Sequence, residues 1–498
     1  MKRIVSLFML AALLLQLVSC GGAGDTADTA GTTAADTLAE TAAETDRSQY
    51  KDSLPELDFG GAEVTIYSRD IEPFSYEMGT SALNGEIVND SLYERSTKVS
   101  ERFGVVLKNT VVGDPMTDVQ KLVLAGDGSC DIIADKSINV PALAVNGMLY
   151  DLLGCEYFDF DMPWWPTAML DEIECFGRMF YCSGDIALTM IQYLCGVFYN
   201  KELAESWNID TDFTALTLDG GWTLDVMSEN SAKVSSDLNG NGEYDLDDLY
   251  GFLQADSVCI FSFATACGLK VIDKDNTGTP YISINNEKTF DVIDKVNVLF
   301  HQSESSMSAY LPAMVQGAVE GDKISIATGM FGNDQALFYV TLLYTAEQLR
   351  EMESDFAILP YPKYDEAQES YHSNCRDTFT VVGIPICCTE PNRSAAVIEA
   401  LSAESYRTVV PDYYEVALKE KYTRDETTGE MLDIITSSVS FDLGVLYYRS
   451  LSSLHHTFQW CIEDPNKEFG SQFAAKQSAG ESGLKIIIES FKNYDDAR

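Results

Sequence analysis

In "NGEIVNDSLYERSTKVSERFGVVLKNTVV", Asn84–Val112, the apolar pattern changes period at one glycine. Before Gly104, Val88, Leu92, Val99 and Phe103 fall on one helical face. After it, "VVLKNTVV" has the β-branched content of a strand. Working outward, "AEVTIY" (Ala62–Tyr67) is a strand behind turn-forming glycines, Met116–Ala125 is a second helix, and "CDIIAD" (Cys130–Asp135) is a third strand. Strand, helix, strand, helix, strand predicts a parallel sheet of the α/β class.

Further along, "MIQYLCGVFYNKEL" precedes a helix start near Thr223 in "GWTLDVM", which opens a second α/β region. "ISIATGMFGNDQALFYV", "FAILPYPKY" and "FTVVGIPICC" are strand-like, and "NRSAAVIEALSAESYRTVV" is an amphipathic helix. Roughly 440 residues follow position 56, too many for one ordinary core, so two lobes are expected.

The chain start bears on location. Lys2 and Arg3 precede an apolar run of about fifteen residues, shorter than the roughly 20 that span a bilayer, which makes residues 1–19 an export signal. "LVSC" resembles the lipobox of bacterial lipoproteins, which implies Cys20 as the lipidated mature N-terminus. Residues 20–56 are rich in Gly, Ala, Thr, Asp and Glu and predict a flexible tether holding the body at the outer face of the cell membrane.

The chain carries 33 Lys and Arg against 78 Asp and Glu, a net charge of −45, which would repel phosphate backbones and excludes nucleic acid as a partner. Of 12 cysteines, the eleven besides Cys20 show no paired CxxC spacing, so zinc ribbons are not expected. Export permits disulfides, and Cys259 with Cys267 is one available pair; buried apolar thiols are the other reading.

The order of these segments resembles the extracellular solute-binding proteins of ABC importers, especially the family that includes maltose-binding protein. "GVFYNKELAESWNI" (Gly196–Ile209) resembles its crossover strand, "GWTLDVM" the Thr-Trp helix start, and "ISIATGMFGNDQ" the strand and turn that carry an aromatic into the cleft. "FAILPYPK" is similar to the next strand, and "FTVVGIPICCTEPNRSAAVIEAL" to the return to the first lobe. The long acidic tail, Tyr422–Arg498, departs from the pattern. The resemblance implies a periplasmic-binding-protein-like fold with discontinuous lobes and a hinge: 57–190 with 379–415 as lobe 1, and 191–378 with 416–498 as lobe 2. It implies a monomer that grips a carbohydrate, an oligosaccharide above all, and presents it to a membrane permease, with no catalysis. An oligopeptide or another polar solute is the other ligand class.

Sugar binding calls for flat apolar surfaces and planar polar groups. Trp164 and Trp165, bracketed by prolines in "DMPWWP", read as platforms or as core. Trp222 reads as a platform or as packing. The resemblance places Phe331 as a cleft aromatic with Asn333 beside it. Asp185 would hydrogen-bond hydroxyls at the hinge or cap a turn, and Arg376 would clamp a ligand or form a structural ion pair.

"DLNGNGEYDLDD" (Asp237–Asp248) fits a calcium loop, with Asp237, Asn239, Asn241, Glu243, Asp245 and Asp248 as ligands around Gly242. Aspartate rather than glutamate at the twelfth position implies a weak structural site, with a Kd of about 10⁻⁴ to 10⁻³ M. An acidic surface turn is the other reading. Two rival functions remain at this level, an exported glycoside hydrolase and a surface glycan-capturing lipoprotein without a permease. Against hydrolases in general, the sequence holds no HExxH or GxSxG motif.

Overall fold

The computed structural model describes residues 47–70, 76–301, 305–308, 320–414 and 427–494. The export signal, Cys20 and the tether as far as residue 46 lie outside these residues. No described helix is long and apolar enough to cross a membrane.

The first sheet forms where the period change at Gly104 predicts it. Strand β1 (Ala62–Arg69) leads to helix α1 (Ile87–Phe103), β2 (Val105–Val112), α2 (Pro115–Ala125) and β3 (Ile132–Lys136). Gly104 ends α1 in the left-handed region, φ 57°, where a Cβ would be strained. Asp114 caps α2 by accepting from Thr117 N at 3.1 Å. The helices carry the chain back to the start of each next strand, so β2 and β3 both pair with β1 in parallel, in registers such as Ala62↔Val105 and Ile66↔Ile132. A late strand, β8 (Thr380–Gly383), completes this sheet antiparallel to β3.

Between them the chain builds a second sheet. Its central strands β4 (Cys195–Asn200), β5 (Leu249–Gln254) and β6 (Ala336–Leu342) are buried at every residue, matching their unbroken apolar runs. β6 pairs antiparallel with β4 and parallel with β5, and β7 (Phe356–Leu359) closes the other edge of β4. The two sheets are thus joined by two crossing segments, one through Leu194 and one through Cys375, which bridge antiparallel to each other.

A buried carboxylate ties these crossings to the first sheet. Glu77 accepts from Thr189 N and Thr189 Oγ1 at 2.7 Å each, and from Thr380 Oγ1 at 2.5 Å. Arg95 donates to the Glu77 carbonyl at 2.8 Å, and Arg69 to Thr380 Oγ1 at 2.8 Å. All four partners are buried, so these hydrogen bonds are charge-assisted and shielded from water.

Three expectations need correction. "ISIATGMFG" is not a strand: it lies in helix α3 (Glu320–Gly332), whose Ala327, Met330 and Phe331 are buried at three- and four-residue spacing, and the strand begins four residues after that helix, at Ala336. The tether ends before residue 57, because the folded unit starts at Ser48. Arg102 holds Asp52 with two hydrogen bonds of 2.7 and 2.8 Å, and Tyr50 packs edge-on to Tyr406. Nor does the whole of 416–498 stay with the second lobe. Helix α5 (Phe469–Lys492) packs Phe491 against Phe180, and Tyr494 Oη donates to the Leu149 carbonyl, while Phe469 contacts Phe290 of the other lobe.

The described cysteines are all free, and most are buried. Cys259 and Cys267 are not bonded to one another. Burial pushes the Cys267 thiol up to about 12, which suits an unreactive core filler.

Candidate functional site

A cavity of about 650 Å³ opens where the two lobes meet beside the crossings. The first lobe contributes Tyr76 and the start of α1, with Asn84, Glu86, Ile87, Val88 and Asn89. The second contributes the segment after β6, with Tyr344, Glu347, Gln348, Arg350 and Glu351. Gln192 from the first crossing, and Asp412 and Tyr413 beyond helix α4 (Pro391–Arg407), complete the wall.

Local structure explains how each group arrives there. Asp90 accepts from Asn84 N and Gly85 N, which folds the chain into the first turn of α1 and leaves Asn84, Glu86 and Ile87 exposed at its end. β6 delivers Tyr344 to the crossing, where its backbone N–H donates to the Gln192 carbonyl at 3.0 Å. Burial pushes the Tyr344 hydroxyl up, so it stays protonated and able to donate. The Ser91 hydroxyl donates to Asp412, fixing that carboxylate against α1. Arg350 and Glu351 approach to 3.7 Å in solvent. The cavity therefore offers tyrosine faces together with planar amide, carboxylate and guanidinium groups. Such a wall supplies ring faces and hydrogen-bonding groups to a polar solute, with Glu86, Glu347, Glu351 and Asp412 set, among the described residues, against the single cation Arg350.

None of the ligand-binding residues singled out from sequence lines this cavity. Trp164 and Trp165 are fully buried and do not serve as platforms: their indole N–H groups donate to the two oxygens of Glu399 at 3.0 and 3.1 Å. Burial pushes the Glu399 carboxyl up to about 8, against the pull of those donors and of Asp159 N. Trp222 is core as well, donating to the Pro360 carbonyl at 2.8 Å and packing on Phe213 and Phe338. Phe331 is enclosed by Phe198, Tyr339 and Phe356. Asn333 is exposed at the end of α3, and β6, seven residues long and about 20 Å at a strand's rise, separates it from the cavity.

At the hinge, Arg376 pairs with Asp256 at 3.2 Å and its backbone N–H donates to the Tyr193 carbonyl, so it joins the second crossing to the second lobe. Asp185 is half-buried, and its N–H donates to the Trp164 carbonyl. Neither residue lines the cavity. In place of Phe331, the aromatic that the second lobe brings to the cavity is Tyr344. Its signal was the apolar strand "ALFYVTLL" running directly into Tyr344.

The loop Asp237–Asp248 is closed by its own hydrogen bonds. Asp237 accepts from Gly240 N and Gly242 N at 2.6 and 2.8 Å, with both glycines at positive φ, 71° and 84°. Asn239 and Asn241 donate their side-chain amides to Asp245, and Asp248 accepts from Leu238 N and Asp245 N. Glu243 donates its backbone N–H to Asn241 Oδ1. Among the described residues no group of three or more His, Cys, Asp or Glu converges as a metal set.

No family model matches the sequence, and no curated protein does. Solved structures do match. A sugar transporter protein from Rhizobium etli, in an open conformation, aligns over 87% of this chain and 99% of its own, with a TM-score of 0.55 and 12% identity. Mycobacterium tuberculosis UspC aligns over 85% of this chain and 100% of its own, at 0.54 and 12%. An ABC substrate-binding protein from Listeria monocytogenes in complex with cycloalternan aligns over 88% and 99%, at 0.51 and 12%. The chain has the two-lobed α/β fold of these three structures.

Proposed function

We propose that this protein is the lipid-anchored, extracellular substrate-binding component of an ABC transporter, which captures a carbohydrate between its lobes and hands it to a membrane permease. The observation that carries the reading is the cavity at the crossings, walled by tyrosines and planar polar groups from both lobes. The fold supports it, as does the cycloalternan bound to the Listeria protein. In this reading the ligand is an oligosaccharide that is released unchanged. Tyr76 and Tyr344 would stack on the C–H faces of sugar rings, and Asn89, Gln192 and Arg350 would pair with hydroxyl groups. Closure about the hinge would take water from around the ligand and strengthen each polar contact.

The anchor at Cys20, the export signal and the permease are part of the same proposal and rest on the sequence. So does a structural calcium ion in the Asp237–Asp248 loop. The two amides that Asp245 accepts would have to rotate away for the ion to enter. The binding role is tested by calorimetric titration of the full chain with neutral oligosaccharides. Tyr344→Ala is expected to weaken binding at least about tenfold, or 1.4 kcal/mol. Equal affinity in wild type and variant would remove Tyr344 from the site.

A further inference from the structure

Glu77 does not line the cavity, yet it stands beside residues that do. Tyr76, on the wall, directly precedes it, and the turn that carries both is held by Gly79 N donating to the Tyr76 carbonyl at 2.8 Å. The Glu77 carboxylate takes Thr189 N and Thr189 Oγ1, and Thr189 opens a short helix, Thr189–Gln192, whose last residue is also on the wall. The Gln192 carbonyl in turn accepts from the N–H of Tyr344, the wall tyrosine of the second lobe. One buried carboxylate is therefore next in sequence to one wall residue, a single helical turn from a second, and one backbone hydrogen bond further from a third.

The donor pattern explains why a carboxylate occupies this position. Thr189 Oγ1 already accepts from Thr380 N at 2.9 Å, and Thr380 Oγ1 from Arg69 at 2.8 Å, so each hydroxyl turns its proton to Glu77. Thr189 N is a third donor to the same group. A carboxylate, which only accepts, receives all three. A glutamine would meet Thr380 with its amide N–H and leave the Thr380 proton without an acceptor, and at 3% exposure water does not replace the lost partner. Nor is the arrangement a plain ion pair: Arg95 donates to the Glu77 backbone carbonyl, and Arg69 to the Thr380 hydroxyl.

We infer that Glu77 is the positioning residue of the ligand wall: by holding Thr189 and Thr380 to the turn after Tyr76, it sets Tyr76 and Gln192 in the places from which they meet the solute. The inference rests on the carbohydrate reading above. Glu77 does not touch the ligand. It acts by ordering wall groups in advance, so that binding does not bear the cost of ordering them.

The test is titration calorimetry of the full chain with malto-, cello- and laminari-oligosaccharides, at a temperature well below the melting point of every variant. Glu77→Gln and Thr189→Val, each close in shape to the native side chain, are expected to weaken binding about tenfold. Thr189→Ser, which keeps the hydroxyl, is expected to recover the affinity. Should Glu77→Gln fail to fold, Thr380→Val, which removes one of the same donors, is expected to show the loss instead. A purely structural role predicts lowered melting temperatures with wild-type affinity in the folded protein, and that result would overturn the positioning role while the cleft still binds sugar. A Thr189→Ser protein as weak as Thr189→Val would overturn it too. No binding of any oligosaccharide by the wild type would overturn the carbohydrate reading and this inference with it.

Discussion

Lys270 Nζ lies 2.6 Å from Glu172 Oε2, joining a residue that precedes the first crossing to one that follows it. Glu172 Oε1 accepts from Leu443 N at 3.0 Å, so the same carboxylate also holds the C-terminal region. Lys274 adds donations to the carbonyls of Asp171 and Glu174. The lobes are therefore linked by ions as well as by the two crossings.

Removing Lys270 leaves a nearly buried carboxylate without its cation. Lys270→Met is expected to lower unfolding free energy by about 1–3 kcal/mol, less than the 3–5 of a fully enclosed pair because the lysine is about a third exposed. Urea denaturation of the single variants and of Lys270→Met with Glu172→Gln gives the coupling. A double variant as unstable as the sum of the singles would deny the pairing any role.

Trp165 and Tyr344 should separate packing from binding. Trp165→Ala removes a buried indole and a donor to Glu399, and is expected to cost about 3–5 kcal/mol of stability. Tyr344→Ala should cost much less stability and act on ligand affinity instead. Thermal unfolding of both variants without ligand decides this, and a stable Trp165→Ala protein with impaired sugar binding would restore the platform role.

Sequence left Trp164 and Trp165 open between platform and core for a physical reason. Prolines on both sides suggested exposed indoles, but their partner Glu399 lies more than 230 residues away, where no local pattern shows it. The first sheet was legible because its signals are local: Gly104 and Gly126 end helices, Asp114 starts one, and apolar period marks each face. "ISIATGMFG" failed because its isoleucines alternate like a strand's, while its packing face, Ala327, Met330 and Phe331, has helical spacing. The cavity was illegible because its walls come from five separate stretches between Tyr76 and Tyr413.

Two buried carboxyls set a pH dependence. Burial pushes Glu399 up from 4.5 to about 8, and pushes Asp442 up from 3.8 to about 7, helped by the charge of Glu172. The folded state then holds more protons than the unfolded state between about pH 4 and 8, so stability contributed by these groups falls as pH rises through that window. For each group the slope is at most about 1.4 kcal/mol per pH unit. Glu399→Gln should flatten the fall of Tm between about pH 5 and 8. An unchanged slope would show that Glu399 does not titrate there.

Calcium at about 10 mM, roughly ten to a hundred times the expected Kd, is expected to raise the Tm of the wild-type chain by the equivalent of about 1.4–2.7 kcal/mol. Asp237→Ala should abolish that rise, because Asp237 anchors both turning glycines of the loop. No rise in the wild type would leave the loop as an acidic turn held by its amides.

The central claim is intact capture of a carbohydrate between the lobes. Equilibrium dialysis of the full chain against mixed neutral oligosaccharides, with mass spectrometry of the retained solute, measures it. The account predicts one retained oligosaccharide per chain, recovered unbroken and lost in Tyr344→Ala. Retention of no sugar, or recovery of shortened products, would contradict it.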